Sequence, residues 1–147
     1  MKERFLVVGL GRFGTALART LAGERREVVA VDTHMGNVEQ VQRELSYVAQ
    51  LDASDPEALR SIEAATCTTA IVSMGENFEA SALCVAALKE IGVPRILARA
   101  RTPAQRKILL AAGASEVIEV EEEMGKRLGK QLASGEKAPA AEGSGSG

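Results

Sequence analysis

The sequence predicts a doubly wound α/β fold, a six-stranded parallel sheet of order 3-2-1-4-5-6 with helices on both faces, completed by one further C-terminal helix at an interface. Three observations carry this expectation. Short apolar runs alternate with longer stretches of helical period, the pattern of a parallel sheet covered on both sides. Prolines, capping residues and glycines punctuate the chain where helices would start and stop. Glycines spaced Gly9-x-Gly11-x-x-Gly14 fall between the first apolar run and the first helical stretch.

Taken in order, strands are expected over residues 4–8, 27–31, 47–50, 70–73, 95–99 and 116–120, and helices over 12–22, 35–45, 56–64, 77–91 and 103–112. Pro56 and Pro103 suit a first helical turn, with Ser54-Asp55 and Thr102 as caps, while Gly92 and Gly113 stop the two later helices. Right-handed crossovers then give two βαβαβ halves, with a ligand crevice where the strand order reverses beside the first strand, the Rossmann-like arrangement. Residues 121–132 run from acidic to basic, which suits the dipole of a last helix. Residues 1–133 are expected to form the domain. Residues 134–147 turn to Gly, Ala, Ser, Glu and Pro and read as a flexible linker or expression scar.

A chain of 147 residues, 46% hydrophobic, has material for one core. A net charge of -2, with one Tyr, three Phe and no Trp, offers neither a basic field nor stacking platforms, so nucleic acid is not an expected partner. No apolar run is long enough to span a bilayer and no signal-peptide core is evident, so a cytoplasmic location is expected. Cys67 and Cys84, without a His or Cys cluster, read as buried reduced thiols, and His34 as a solvated loop residue.

The chemistry concentrates at the strand ends. Gly9 allows a tight turn, Gly11 a close approach of phosphate to the backbone, and Gly14 close packing of helix on sheet; the helix N-terminus then offers N–H groups to phosphates. Asp32 ends the second strand about twenty residues beyond that turn, where a carboxylate accepts both ribose hydroxyls and repels a 2′-phosphate. It can at the same time cap the helix that begins near Met35. Asp52 repeats the device one strand later, and two readings stand, an adenine contact or a turn residue. Arg12 brings a guanidinium to phosphates beyond the pyrophosphate, favouring ATP or ADP over a ligand ending in nicotinamide; otherwise it is an exposed first-turn arginine. Ser73, Met74 and Gly75 form a small turn facing the first loop, and Arg99 and Arg101 at the fifth strand meet phosphates or a facing subunit, or form a solvated rim. The run Glu121-Glu122-Glu123 binds a cation at an interface or is a solvated helix start. No catalytic constellation is present in residues 1–133, and an enzyme is not expected.

Residues 5–132 resemble the N-terminal KTN (TrkA-N) lobe of the RCK family, regulators of potassium conductance. The likeness rests on Gly-Leu-Gly-Arg-Phe-Gly at 9–14, Val31-Asp32, Gly75 with Asn77, Ala80-Ser81, Gly113-Ala114, and Glu121 with Met124-Gly125. The Arg12-Phe13 pair is nearer the KtrA pattern than the TrkA pattern. That resemblance implies ATP and ADP as regulatory ligands, with NAD(H) also able to occupy the fold. It implies a homodimer that assembles into a higher ring beside a membrane K+ channel or transporter subunit. Residue by residue it implies Gly11, Arg12 and Phe13 for the phosphate loop, Asp32 and Thr33 for ribose, Asp52 and Ala53 for adenine, Met74 and Gly75 opposite, and Arg99 and Arg101 after strand five. Glu121 matches a glutamate near the dimer interface and the phosphates, the candidate for a divalent or monovalent cation there. The resemblance stops at residue 132, and a Gly-Ser tail is read where the family's second, C-terminal lobe is expected. The alternative from another class is the cofactor-binding fragment of an NAD-dependent oxidoreductase.

Overall fold

The structure, a computed structural model, describes residues 3–137. Six strands, β1 (Arg4–Val8), β2 (Glu27–Asp32), β3 (Tyr47–Gln50), β4 (Thr69–Val72), β5 (Arg95–Arg99) and β6 (Glu116–Ile118), alternate with helices α1 (Arg12–Gly23), α2 (Met35–Val41), α3 (Pro56–Ser61), α4 (Phe78–Ile91) and α5 (Pro103–Ala112). A last helix, α6 (Val120–Ala133), follows β6. The strands are parallel and ordered β3-β2-β1-β4-β5-β6, as expected from the sequence.

Alternation along β1 builds two cores. Val7 points with Val28 and Ala30 toward α1 and α2, where Leu10, Ala18 and Val41 close the layer. Leu6 and Val8 point the other way with Val29, Val31 and Val72, beneath Leu59 of α3, Val85 and Leu88 of α4 and Leu109 of α5. Burial on both faces is why the central strands read as unbroken apolar runs. The caps fall where the sequence placed them: Asp55 accepts from Glu57 N, Thr102 from Gln105 N, and Gly92 and Gly113 end α4 and α5.

Several boundaries move, each for a local reason. β6 stops at Ile118 because its neighbour β5 ends opposite it, at Arg99, and Val120 opens α6 instead. The acidic residues Glu121, Glu122 and Glu123 then sit in the first turn of α6, where the helix dipole favours them. α2 ends at Val41, leaving the next residues to reach the sheet edge, where Ser46 Oγ accepts from Val28 N. α3 ends at Ser61; Glu63 takes a left-handed conformation (φ 58°) before a short 3-10 turn, Ala64–Thr66. That break buries Ile62 and Ala64 in the same core as Leu59. β4 runs one residue earlier than expected, and Asn77 is the cap of α4 rather than its first residue. Of the expected tail, residues 138–147 lie outside the described residues.

Candidate functional site

At the carboxyl ends of the strands, where β1 is flanked by β2 and β4, a cleft of about 930 Å³ opens. It is of the size that takes a nucleotide. Its first wall is the glycine loop. Gly9 has φ +97°, and a Cβ there would overlap the carbonyl oxygen of Ser73; a Cβ on Gly14 would overlap that of Gly9. Both glycines are therefore demanded by the fold. Gly11 is not: nothing outside its own neighbours lies within 4 Å of the place a Cβ would take, and its φ is -74°. The space beside Gly11 belongs to the cleft. Gly11 is also the N-cap of α1, with no side chain capping the helix and no acidic residue in its first turn. Such an end presents N–H groups and a partial positive charge to an anion.

Across the loop, Asp32 is held by three donors. Oδ2 accepts from Leu10 N at 2.7 Å and from Asn37 Nδ2 at 3.3 Å, and Oδ1 from His34 N at 2.8 Å. A carboxylate has roughly four acceptor positions, so capacity for a ribose hydroxyl remains. The N-cap of α2 is His34, whose side chain makes no capping hydrogen bond, so Asp32 is a clamp on the loop rather than a cap. Thr33 and His34 are exposed at the rim, with His34 Nδ1 3.4 Å from Asp32 Oδ1. His34 thus has a partner that the sequence did not reveal.

Asp52 is a turn residue that also lines the cleft. Its Oδ1 accepts from Ser54 N and Oγ at 2.9 and 2.6 Å, an Asx-type turn. Those bonds, the hydroxyl's first, hold its carboxyl below the usual range. Ala53 is buried behind it, and Ser73, Met74 and Gly75 line the opposite wall. Arg12, Phe13, Arg99 and Arg101 also line the cleft. The cleft has an apolar floor that includes Val8, Val31, Leu51 and Ala53, with acidic Asp32 and Asp52 toward β2 and β3 and three arginines at the α1 and β5 side.

Of the candidate residues, Gly14 and Glu121 are not part of the cleft lining. Gly14 supports it from beneath. Glu121 lies in the first turn of α6, where Oε1 accepts from Arg99 Nη2 at 2.9 Å. Its own backbone N–H, and next the Arg99 bond, hold its carboxyl below the usual range. Among the described residues, no group of three or more His, Cys, Asp and Glu side chains is placed to hold a metal. Sequence reasoning missed Asn37 and Ser54, which orient the two aspartates, and Glu76 on the far rim. Ser54 was legible in principle, since an aspartate two residues before a serine forms this kind of turn.

The TrkA-N domain family matches residues 5–120. The chain belongs to that family. The Ktr system potassium uptake protein C of Bacillus subtilis is 34% identical over 134 residues, 91% of this chain and 61% of the relative. The Ktr system potassium uptake protein A of the same organism is 31% identical over 130 residues, 88% and 59% of the two chains. This TrkA-N domain therefore spans about three-fifths of the length of those relatives. Among solved structures, the TrkA-N domain of the inner membrane protein ybaL from Escherichia coli superposes with a TM-score of 0.80 at 21% identity, covering 90% of this chain and 98% of that one. The GsuK channel bound to NAD gives 0.76 at 18% identity (88% of this chain, 23% of that one), and GsuK bound to ADP gives 0.75 at 18% (89% and 35%). These likenesses show that the fold is shared.

Proposed function

We propose that this domain senses adenine nucleotides, ATP or ADP, and regulates a potassium channel or transporter, with NAD(H) as an alternative occupant of the same cleft. The observation that carries the reading is the open, uncapped N-terminus of α1, with Arg12 at the cleft rim and Asp32 across the loop. A nucleoside fits the acidic end and a phosphate chain the arginine end. Potassium enters through the Ktr relatives, uptake proteins to which the matched segment is 31% and 34% identical. Regulation of this kind requires different nucleotide affinities in two assembly states and no chemistry at the site.

The assembly we propose is a homodimer through α6, extended to a ring and seated on the cytoplasmic face of a membrane subunit. No described helix is long and apolar enough to cross a membrane. A cation at Glu121 would need donors from a second copy.

A thermal-shift screen of ATP, ADP, AMP and NADH, with extraction of any nucleotide that copurifies, tests the reading. A ligand at a hundred times its Kd adds about 2.7 kcal/mol of stability, a shift of several degrees. ATP and ADP are expected to give it. Stabilisation by NADH alone would contradict the preference for ATP and ADP, and no response to any of the four would contradict the site.

A further inference from the structure

Arg99 joins two parts of the molecule that otherwise have little to do with each other. It ends β5 and lines the cleft, and its guanidinium carbon lies 5.3 Å from the ring centroid of Phe13, the residue that follows Arg12 in the phosphate loop. Its Nη2 holds Glu121 in the first turn of α6. Its Nε is buried and has no hydrogen-bond partner among the described residues. α6 itself buries none of its residues. Among the described residues, Arg99–Glu121 is the ion pair that ties the body of α6 to the sheet, while Arg106–Glu119, at 3.8 Å, reaches only its N-cap.

We propose that Arg99 is a positioning residue that couples the phosphate end of the cleft to α6, because the terminal phosphate of a bound nucleotide and the Glu121 carboxylate compete for its one guanidinium. The inference rests on the nucleotide reading of the cleft. Glu121 acts as a resident anion beside the arginine end, well exposed, with 64% of its side chain accessible. An exposed carboxylate holds its partner weakly, because water and salt screen the pair. A phosphate carries more charge and three acceptor oxygens, and two adjacent guanidinium N–H groups bond it in parallel. Turning toward such an oxygen gives the unpartnered Nε an acceptor and withdraws Nη2 from Glu121. The first turn of α6 then loses its tether. A nucleotide too short to reach Arg99 leaves that tether in place, so occupancy is transmitted to α6 according to the length of the phosphate chain.

Titration calorimetry with AMP and ATP, in EDTA and free of divalent ions, tests this on the wild-type chain and on Glu121→Gln. Removing the competing charge is expected to tighten ATP about two- to fivefold, the range of an exposed ion pair, and to leave AMP unchanged. Amide exchange of residues 121–124 is expected to rise with ATP in the wild-type chain, and in Glu121→Gln to be high already without nucleotide. An ATP affinity that is unchanged or weaker in Glu121→Gln overturns the competition. If the weakening appears only when Mg2+ is restored, Glu121 is a cation ligand and the competition is equally excluded. Binding of AMP and ATP to the wild-type chain without the Glu121→Gln effect defeats this inference alone. Failure of both to bind defeats it together with the nucleotide reading.

Discussion

The carboxylate of Asp32 accepts the backbone N–H of Leu10 at 2.7 Å, so the residue proposed to hold ribose also holds the glycine loop. The two functions predict two separable losses. Asp32→Ala should weaken every adenosine ligand by about 1.5–3 kcal/mol, the value of hydrogen bonds to a charged acceptor, and should also lower the melting temperature. Asp32→Asn keeps an oxygen for Leu10 N and should recover more of the stability than of the affinity. Calorimetry and thermal melts on both variants check this. Unaltered affinity for ATP and NADH in Asp32→Ala would remove Asp32 from the ligand site.

The glycines of the loop divide by the same logic. Gly11→Ala meets empty space at an ordinary φ, and the gain from a stiffer unfolded state is offset by a poorer N-cap residue, so the folded chain should keep its stability to within about 1 kcal/mol. On the proposed reading nucleotide affinity should nevertheless fall, because the methyl would stand in the path of a phosphate. Gly14→Ala drives a methyl into the carbonyl of Gly9 and should destabilise the whole fold. Denaturant melts beside nucleotide titrations separate the two. A Gly11→Ala chain that binds ATP normally would place the phosphates elsewhere.

How much of this was legible in advance follows from what each feature depends on. Strand order is a consequence of apolar runs, turns and crossover handedness, and it was readable. The same holds for Asp55 and Thr102, whose capping partners lie two or three residues away. The start of α6 was misplaced because the end of β6 is set by β5, some twenty residues earlier in the chain. Asp32 could be assigned to the cleft by its position at a strand end. That Leu10 N occupies part of its carboxylate depends on the path of the loop, which no spacing encodes. Arg99 and Glu121, 22 residues apart, meet for the same kind of reason.

Cys84 should be inert in the folded protein. Burial, and next the charge of Asp52, push its thiol up to about 12, and burial raises Cys67 as well. At pH 8 a thiol with that value is thiolate on the order of once in ten thousand molecules. Labelling with a thiol reagent at pH 8 should therefore be slow in the native state and complete at both cysteines after denaturation. Because the folded chain retains the Cys84 proton to higher pH than the unfolded chain, this group lowers stability as pH rises from about 9 toward 12. Rapid native labelling would show that the core around Cys84 opens readily.

α6 carries Met124, Leu128 and Leu132 at four-residue spacing, all exposed, and Ile108 and Leu110 of α5 are exposed as well. Apolar stripes of this kind on a helix with no buried residue predict self-association. Sedimentation at micromolar concentration should give a dimer, and Leu128→Glu should shift it toward monomer without lowering the helix content. A wild-type chain that stays monomeric with and without nucleotide would exclude α6 as the dimer surface.

The central claim is that this cleft orders nucleotides by their phosphates, and Arg12, exposed at the N-terminus of α1 and lining the cleft, tests it most directly. The measurement is one calorimetric series of AMP, ADP, ATP and NADH on the wild-type chain and on Arg12→Ala. If the guanidinium bonds terminal phosphates, ATP should lose about 1–3 kcal/mol, ADP less, AMP less again and NADH least. Equal losses across all four would mean that Arg12 only supports the turn, and would contradict the account of the cleft as a sensor of phosphate number.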